Sequence, residues 1–314
     1  MFFNVILIFV GFFLLIKGAD LLVNGASGIA KKFHIPEIII GLTIVSIGTS
    51  MPELFVSAKS AIEGHSDISI GNVIGSNLCN LLLILGLSAV IFPIKFQKET
   101  KFIELPMCIS ITIIYIVLCN IGGKISRIDS IIFLILFLIF IGYTVFMGIK
   151  GTKEQENEQN KEKEKNSIFY IIFIIIGIVA LKFGGDFVVD NSEILAKHLG
   201  ISEKIIGLTI IAIGTSLPEL VTSVTAAIKK NSDIAIGNII GSNIFNFLFI
   251  TGLAGVIAPM NYSSSYNLQL GILLVSTIVL ALFPYTDKKD EMTLSNGITY
   301  LMLYALYMVL LFVK

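Results

Sequence analysis

The chain has 314 residues, 55% hydrophobic and 14% charged, with 22 basic against 22 acidic side chains. Soluble domains carry about 25% charged residues, so the composition excludes a soluble fold, and a zero net charge offers no basic patch for nucleic acid. The apolar residues fall in unbroken runs of about 20, enough for a helix to cross a hydrocarbon core of roughly 30 Å; a membrane β-barrel would show short alternating segments instead.

Ten candidate spans follow in chain order: 3–30, 38–62, 67–92, 102–121, 127–149, 168–196, 204–228, 233–258, 267–284 and 293–313. The expected fold class is an all-α membrane protein with ten transmembrane helices. The N-terminus turns apolar at once, with no basic leader and no good small-residue cleavage site, so the first run reads as a retained span. Cys79, Cys108 and Cys119 lie inside apolar runs without metal-ligand spacing and read as small packed hydrophobes. His34, His65 and His198 fall at span ends and read as loop residues. Residues 151–166, GTKEQENEQNKEKEKN, are polar and low in complexity. Such a segment cannot bury a core and reads as a solvated, flexible linker, helical in part, rather than as a calcium site built from its five glutamates.

The linker separates two five-helix repeats, 1–150 and 167–314. GLTIVSIGTSMPELFVS at 41–57 returns as GLTIIAIGTSLPELVTS at 207–223. DISIGNVIGSNLCNLLLILGL at 67–87 returns as DIAIGNIIGSNIFNFLFITGL at 233–253. The offset is 166 throughout, and 26 of these 38 positions are identical, which marks a duplication. Five spans per half is an odd number, so the second copy enters the membrane from the opposite side. Such inverted repeats are common in secondary transporters. With the N-terminus outside, the inner loops hold fourteen lysines against six basic residues on the outer face. The positive-inside rule then places the linker in the cytoplasm of a multi-pass cell-membrane protein.

The chemistry sits in the repeated motifs. Pro52 lacks an N–H and clashes with the carbonyl four residues earlier, so it frees the Gly48 carbonyl and pushes Met51 away from helical geometry. The second span should break near its middle, with the hydroxyls of Thr49 and Ser50 beside freed carbonyls. Such oxygens suit hard cations. Gly214 to Glu219, with Pro218, repeat the device. Glu53 and Glu219 stand mid-span, where an ionisable group costs about 2.5–3.5 kcal/mol on insertion scales and marks a functional site. Lys17 and Lys182 are conceivable partners, but neither has a counterpart in the other repeat. In the second motif, Asn72, Ser76 and Asn80 share one helix face, as do Asn238, Ser242 and Asn246. Asn72 and Asn238 suit packing as well as ion binding; Asn80 and Asn246 lie nearer the level of the glutamates and are the better ligands. Gly71 and Gly75, and Gly237 and Gly241, offer surfaces for close helix approach. Asp20 and Asp186 match across the repeats, as structural partners or along an ion path.

GTS-x-PE followed by GN-x-x-GSN-x-x-N, present twice in inverted halves, resembles the repeats of the sodium/calcium exchanger family, in its compact prokaryotic form. The resemblance spans essentially the whole chain. It implies a secondary-active antiporter, not an enzyme, that exchanges Na+ for Ca2+ by alternating access, with no cofactor and with the lipid bilayer as its surroundings. The first and sixth spans would slide or rock across the packed core. Glu53 and Glu219 correspond to the central carboxylates. Thr49, Ser50, Thr215 and Ser216 resemble the other ligands, Ser76 and Ser242 fall where sodium ligands lie, and Ser46 and Ala212 occupy positions offering backbone carbonyls. Asn80 and Asn246 correspond to the central polar pair. Potassium-dependent relatives carry aspartate where this chain has Asn246, which disfavours potassium co-transport. Two ionised glutamates give the site a charge of −2: one Ca2+ neutralises it and three Na+, the family's usual load, leave +1. Each cycle would then move one net charge, about 2.3 kcal/mol at 100 mV. A Ca2+/H+ antiporter would use the same carboxylates. An intramembrane enzyme finds no HExxH pair or nucleophile–base arrangement to support it, and a passive channel would lack counter-ion-dependent exchange.

Overall fold

A computed structural model describes residues 2–155, 167–198, 212–286 and 289–313. The apolar runs fold as helices: α1 (Phe2–Lys32), α2 (Glu37–Thr49), α3 (Met51–Ile62), α4 (Ser66–Ile91), α5 (Thr100–Gly123), α6 (Arg127–Gln155), α7 (Ser167–His198), α8 (Ala212–Thr215), α9 (Leu217–Ile228), α10 (Ser232–Ile257), α11 (Ser264–Thr286) and α12 (Leu294–Val313). Among the described residues, eight helices are long and apolar enough to cross a membrane, and counting α2 with α3, bent by 50° at their break, as one span brings the number to nine. Residues 204–211 of the expected seventh span lie outside the described residues. The protein is an all-helical membrane protein whose outer faces are apolar: Phe9 is 70% exposed and Leu138 68%, a surface suited to hydrocarbon rather than water.

The bundle is sorted by depth. In α4 and α10, which carry the asparagine motifs, 72% and 83% of the apolar window is buried, against 17–39% in the other unbroken spans. They form the centre. Within a bilayer, helix association draws on close packing and hydrogen bonds, since lipid is as apolar as leucine. The glycines serve that packing. A methyl group on Gly241 would fall 2.6 Å from the Leu42 carbonyl oxygen, so α10 lies directly on the backbone of α2.

Outside this core, α1 and α7 run together along their length. Gly11 and Gly18 face Gly184 and Gly177, and a methyl group on Gly18 would fall 2.9 Å from the Gly177 carbonyl oxygen. Both pairs have seven-residue spacing, so one narrow seam of each helix meets the other.

Two short antiparallel ladders lie at the loop ends. β1 (Ile94–Lys95) pairs with β4 (Glu291–Met292), and β2 (Lys124–Ile125) with β3 (Met260–Asn261). α6 continues to Gln155, so the first residues of the 151–166 segment are helical, and Lys153, Glu154 and Gln155 are good helix formers. The remainder, 156–166, lies outside the described residues. The three cysteines are buried free thiols, as expected of packed hydrophobes.

Candidate ion-binding site

The break in the second span falls at Ser50, with φ −83° and ψ 11°. This corrects the expectation that Met51 would leave helical geometry. Met51 is instead the first residue of α3 and Pro52 the second, where a missing N–H leaves no helical bond unmade. Ser216, with φ −87° and ψ 6°, breaks the chain at the matching point between α8 and α9.

Each break reads S-x-x-E, the pattern of a capping box, in which the serine would serve its own helix. Neither serine does so. Ser50 Oγ donates to Glu219 Oε1 (2.7 Å) and lies 3.0 Å from Ser242 Oγ. Ser216 Oγ donates to Glu53 Oε1 (3.2 Å) and lies 3.3 Å from Ser76 Oγ. Ser76 Oγ donates to Glu53 Oε1 as well (3.4 Å). Each carboxylate is therefore held by a hydroxyl from the other repeat, and the crossed bonds draw the two breaks together.

Below this layer, α4 and α10 are locked by asparagines. Asn77 Nδ2 donates to the Asn243 carbonyl (3.2 Å), and Asn243 Nδ2 to the Asn77 carbonyl (3.4 Å). Asn80 Nδ2 donates to Asn243 Oδ1 (3.2 Å) and Asn246 Nδ2 to Asn77 Oδ1 (2.9 Å). Asn80 and Asn246 each lie in a π-helical turn, Cys79–Ile84 and Asn246–Ile250, a distortion common at functional sites. Asn72 and Asn238 prove to be connectors: they donate to Ser57 Oγ and Ser223 Oγ (2.9 Å each) and accept from Thr215 Oγ1 (3.4 Å) and Thr49 Oγ1 (3.1 Å).

Four oxygens are left over. Glu53 Oε2, Glu219 Oε2, Asn80 Oδ1 and Asn246 Oδ1 are buried without a hydrogen-bond partner. They form two pairs related by the 166-residue offset. Leaving a buried acceptor unpaired costs about 1–3 kcal/mol, and more when it is charged. Among the described residues neither glutamate has an ion-pair partner, and Lys182 instead bridges Asp186 (2.7 Å), one turn along α7. Of the remaining expected positions, the Ser46 carbonyl accepts from Ser50 N (3.0 Å) and Thr49 Oγ1 (3.3 Å), and Ala212, at the equivalent sequence position of the second repeat, lies in α8.

The surroundings are less symmetric than the site. A cavity of about 510 Å3 reaches the breaks between α3, α7 and α8, lined among others by Pro52, Val56, Asp186, Asp190, Thr215 and Pro218. On the opposite side α1 packs along α9. There Lys229 Nζ bridges Asp20 Oδ1 (2.5 Å) and donates to Asn24 Oδ1 (2.8 Å) and the Asp20 carbonyl (3.2 Å).

The family model for sodium/calcium exchanger proteins matches residues 3–146 and 169–313. The chain belongs to the sodium/calcium exchanger family. It is 33% identical to sodium/calcium exchanger MaX1 of Methanosarcina acetivorans over 98% of both chains. It is 36% identical to the inner membrane protein YrbG of Escherichia coli over 88% of this chain and 87% of that one. Its structure superposes on the sodium-calcium exchanger NCX_Mj, soaked with Na+ and Ca2+, with a TM-score of 0.86, 33% identity and 98% coverage of each chain. The family is one of transporters, and membership makes the chain a membrane antiporter.

Two elements of the site escaped the sequence reading. Asn77 and Asn243 were absent from the i, i+4 stripe, although each lies three residues before Asn80 or Asn246 and so shares its face. Ser57 and Ser223 were visible only as identities between the two repeats.

Proposed function

We propose that this exchanger-family member carries Ca2+ and Na+ alternately across the cell membrane at a site between its two repeats. Ca2+ is held by Glu53 and Glu219, with Asn80, Asn246, Thr49, Thr215, Ser50, Ser216, Ser76, Ser242 and the carbonyls of Ser46 and Ala212 as further oxygens for Ca2+ or Na+. The observation that carries this reading is the set of four unpartnered buried oxygens, two of them carboxylate. One Ca2+ compensates both charges and accepts all four oxygens, whereas three Na+ leave +1, so exchange is electrogenic. Asn246 keeps the charge at −2 and with it independence from K+.

The chain is then divided as 1–150, 151–166 and 167–314, two inverted five-helix repeats about a cytoplasmic linker, with the N-terminus outside and ten crossings. The ladders support inversion. β1 follows the third span and β4 the ninth, so six crossings separate them and their pairing requires one membrane face. The cavity beside Asp186 and Asp190 then opens outward while Lys229 closes the inner side, and exchange proceeds as α1 and α7 shift together across the core.

Competition at equilibrium tests the site. Bound 45Ca2+ in purified protein should be displaced by Na+ with a dependence steeper than first order, and Glu53→Gln should remove the binding. Displacement by protons but not by Na+ would transfer the reading to Ca2+/H+ exchange.

A further inference from the structure

A second acidic cavity, of about 500 Å3, lies at the end of the molecule that carries Lys31 and Lys150. Four carboxylates line it, Glu37, Glu99, Glu104 and Asp233, against those two lysines. Asp233 accepts from Gln97 Nε2 (3.1 and 3.4 Å to its two oxygens). Glu104 is fully buried: Oε1 accepts from the Tyr143 hydroxyl (2.9 Å), and Oε2 has no partner. One turn earlier, the buried Thr100 Oγ1 is also unpartnered.

The duplication supplies an internal control. At the 166-residue offset Glu99 becomes Ser265, Thr100 becomes Tyr266 and Glu104 becomes Leu270, itself fully buried. The second copy therefore builds the corresponding corner of the scaffold with an apolar side chain, and closes it with the Tyr266 hydroxyl on the Asp67 carbonyl (3.0 Å). The acids of the first copy are not needed for the corner to form. The π turn Thr100–Glu104 that carries them gives way in the second copy to a 3-10 turn, Ser264–Tyr266, leading into α-helix. A buried carboxylate where leucine suffices is a costly choice, retained where a ligand compensates it.

We propose that this cavity is a second cation site, separate from the paired glutamates, which takes a divalent cation with part of its water shell. Glu104 and Asp233 are its charged anchors, and two carboxylates match the ion's charge. Among the described residues no three acidic, histidine or cysteine side chains stand at chelating distance, so the ion keeps water on its remaining positions. Mg2+-like ions bind in this way, through one or two carboxylates, and at about 30 Å3 per water the cavity holds such a shell. The lining runs from the end of α1 through Pro36 into α2 and across to α5 and α10, so the bound ion fastens the α1–α2 connection to the core.

Mn2+ titration of the full-length protein in detergent, read by loss of the free-ion electron paramagnetic resonance signal, tests the site independently of the transport reading. In an E53Q/E219Q background one saturable Mn2+ site should remain. Adding Glu104→Leu, the residue the second repeat already accommodates, should weaken that site at least tenfold without changing the size-exclusion profile, and Asp233→Asn should do likewise. In the wild type, Glu104→Leu should remove one site and leave another. Folded E53Q/E219Q protein with no saturable binding, or binding unchanged by Glu104→Leu, would overturn the proposal.

Discussion

Because Ser50 holds Glu219 and Ser216 holds Glu53, each carboxylate depends on the opposite repeat for its position. Hydrogen bonds to charged groups are worth about 1.5–3 kcal/mol. Ser50→Ala should therefore weaken Ca2+ binding about tenfold or more. In a double-mutant cycle on thermal unfolding without Ca2+, Ser50→Ala should couple to Glu219→Gln and be additive with Glu53→Gln, three residues away. Coupling to Glu53 instead would refute the crossed arrangement. Glu53→Gln leaves a Ca2+ site with one carboxylate and a net buried charge. Breaking a buried pair costs about 3–5 kcal/mol, so binding should fall by about two to four decades, read by 45Ca2+ dialysis, with circular dichroism unchanged. At this scale the glutamates and the central asparagines stood out in the sequence, because an ionisable or amide side chain mid-span is costly in hydrocarbon unless something pairs with it. The crossing of the serines was not. S-x-x-E has a local solution, the capping box, and only the tertiary approach of the two breaks diverts the hydroxyl.

The helices differ in what they are free to do. α4 and α10 are joined by reciprocal asparagine bonds, each worth about 0.6 and at most about 1.7 kcal/mol in a membrane. Asn77→Ala should lower thermal stability by an amount in that range while leaving the protein folded. α1 and α7 meet through glycines, so Gly18→Leu, which drives a side chain into the Gly177 backbone, should impair transport without touching the ion ligands. The latch on α1 has no mirror image: the offset maps Lys229 onto Glu63, which pairs with Lys59 (3.9 Å), and Asn24 onto Asp190. On the other side the matching acids carry their own lysines, Lys59 on Glu63 and Lys182 on Asp186, each four residues away on the same helix and not bridging to another. The Lys229–Asp20 bridge is partly exposed, so its worth is about 1 kcal/mol or less. Lys229→Ala should therefore raise the inward-open population severalfold, measured as cysteine labelling at position 23 from the cytoplasmic side. Labelling unchanged from wild type would exclude the latch. The breaks themselves were readable from Pro52 and Pro218, but the exact turning residue was not, since proline tolerates the first turn of a helix and moves the kink upstream to Ser50.

For the molecule as a whole, the duplication was the strongest signal in the sequence, and it predicts a site with two-fold character. The hydrogen bonds obey that symmetry. The cavities do not: one lies beside the helix breaks on the α7 side, and another, acidic, lies at the α1–α2 corner of the first repeat. Symmetry of the scaffold with asymmetry of its closures is what alternating access requires, since two states of similar energy must differ in which side is shut. These asymmetries were hidden from the repeat alignment because they reside in the positions where the copies differ, such as Glu104 against Leu270 and Lys229 against Glu63. The central claim is Na+-driven Ca2+ transport through Glu53 and Glu219, and 45Ca2+ uptake into Na+-loaded proteoliposomes tests it most directly. At equal pH on both sides and without K+, uptake should require the outward Na+ gradient, slow when the vesicle interior is made negative and quicken when it is made positive, because each cycle carries one net positive charge out, and vanish in Glu53→Gln. Uptake driven by a pH gradient alone, or persisting at the wild-type rate in Glu53→Gln, would contradict the account.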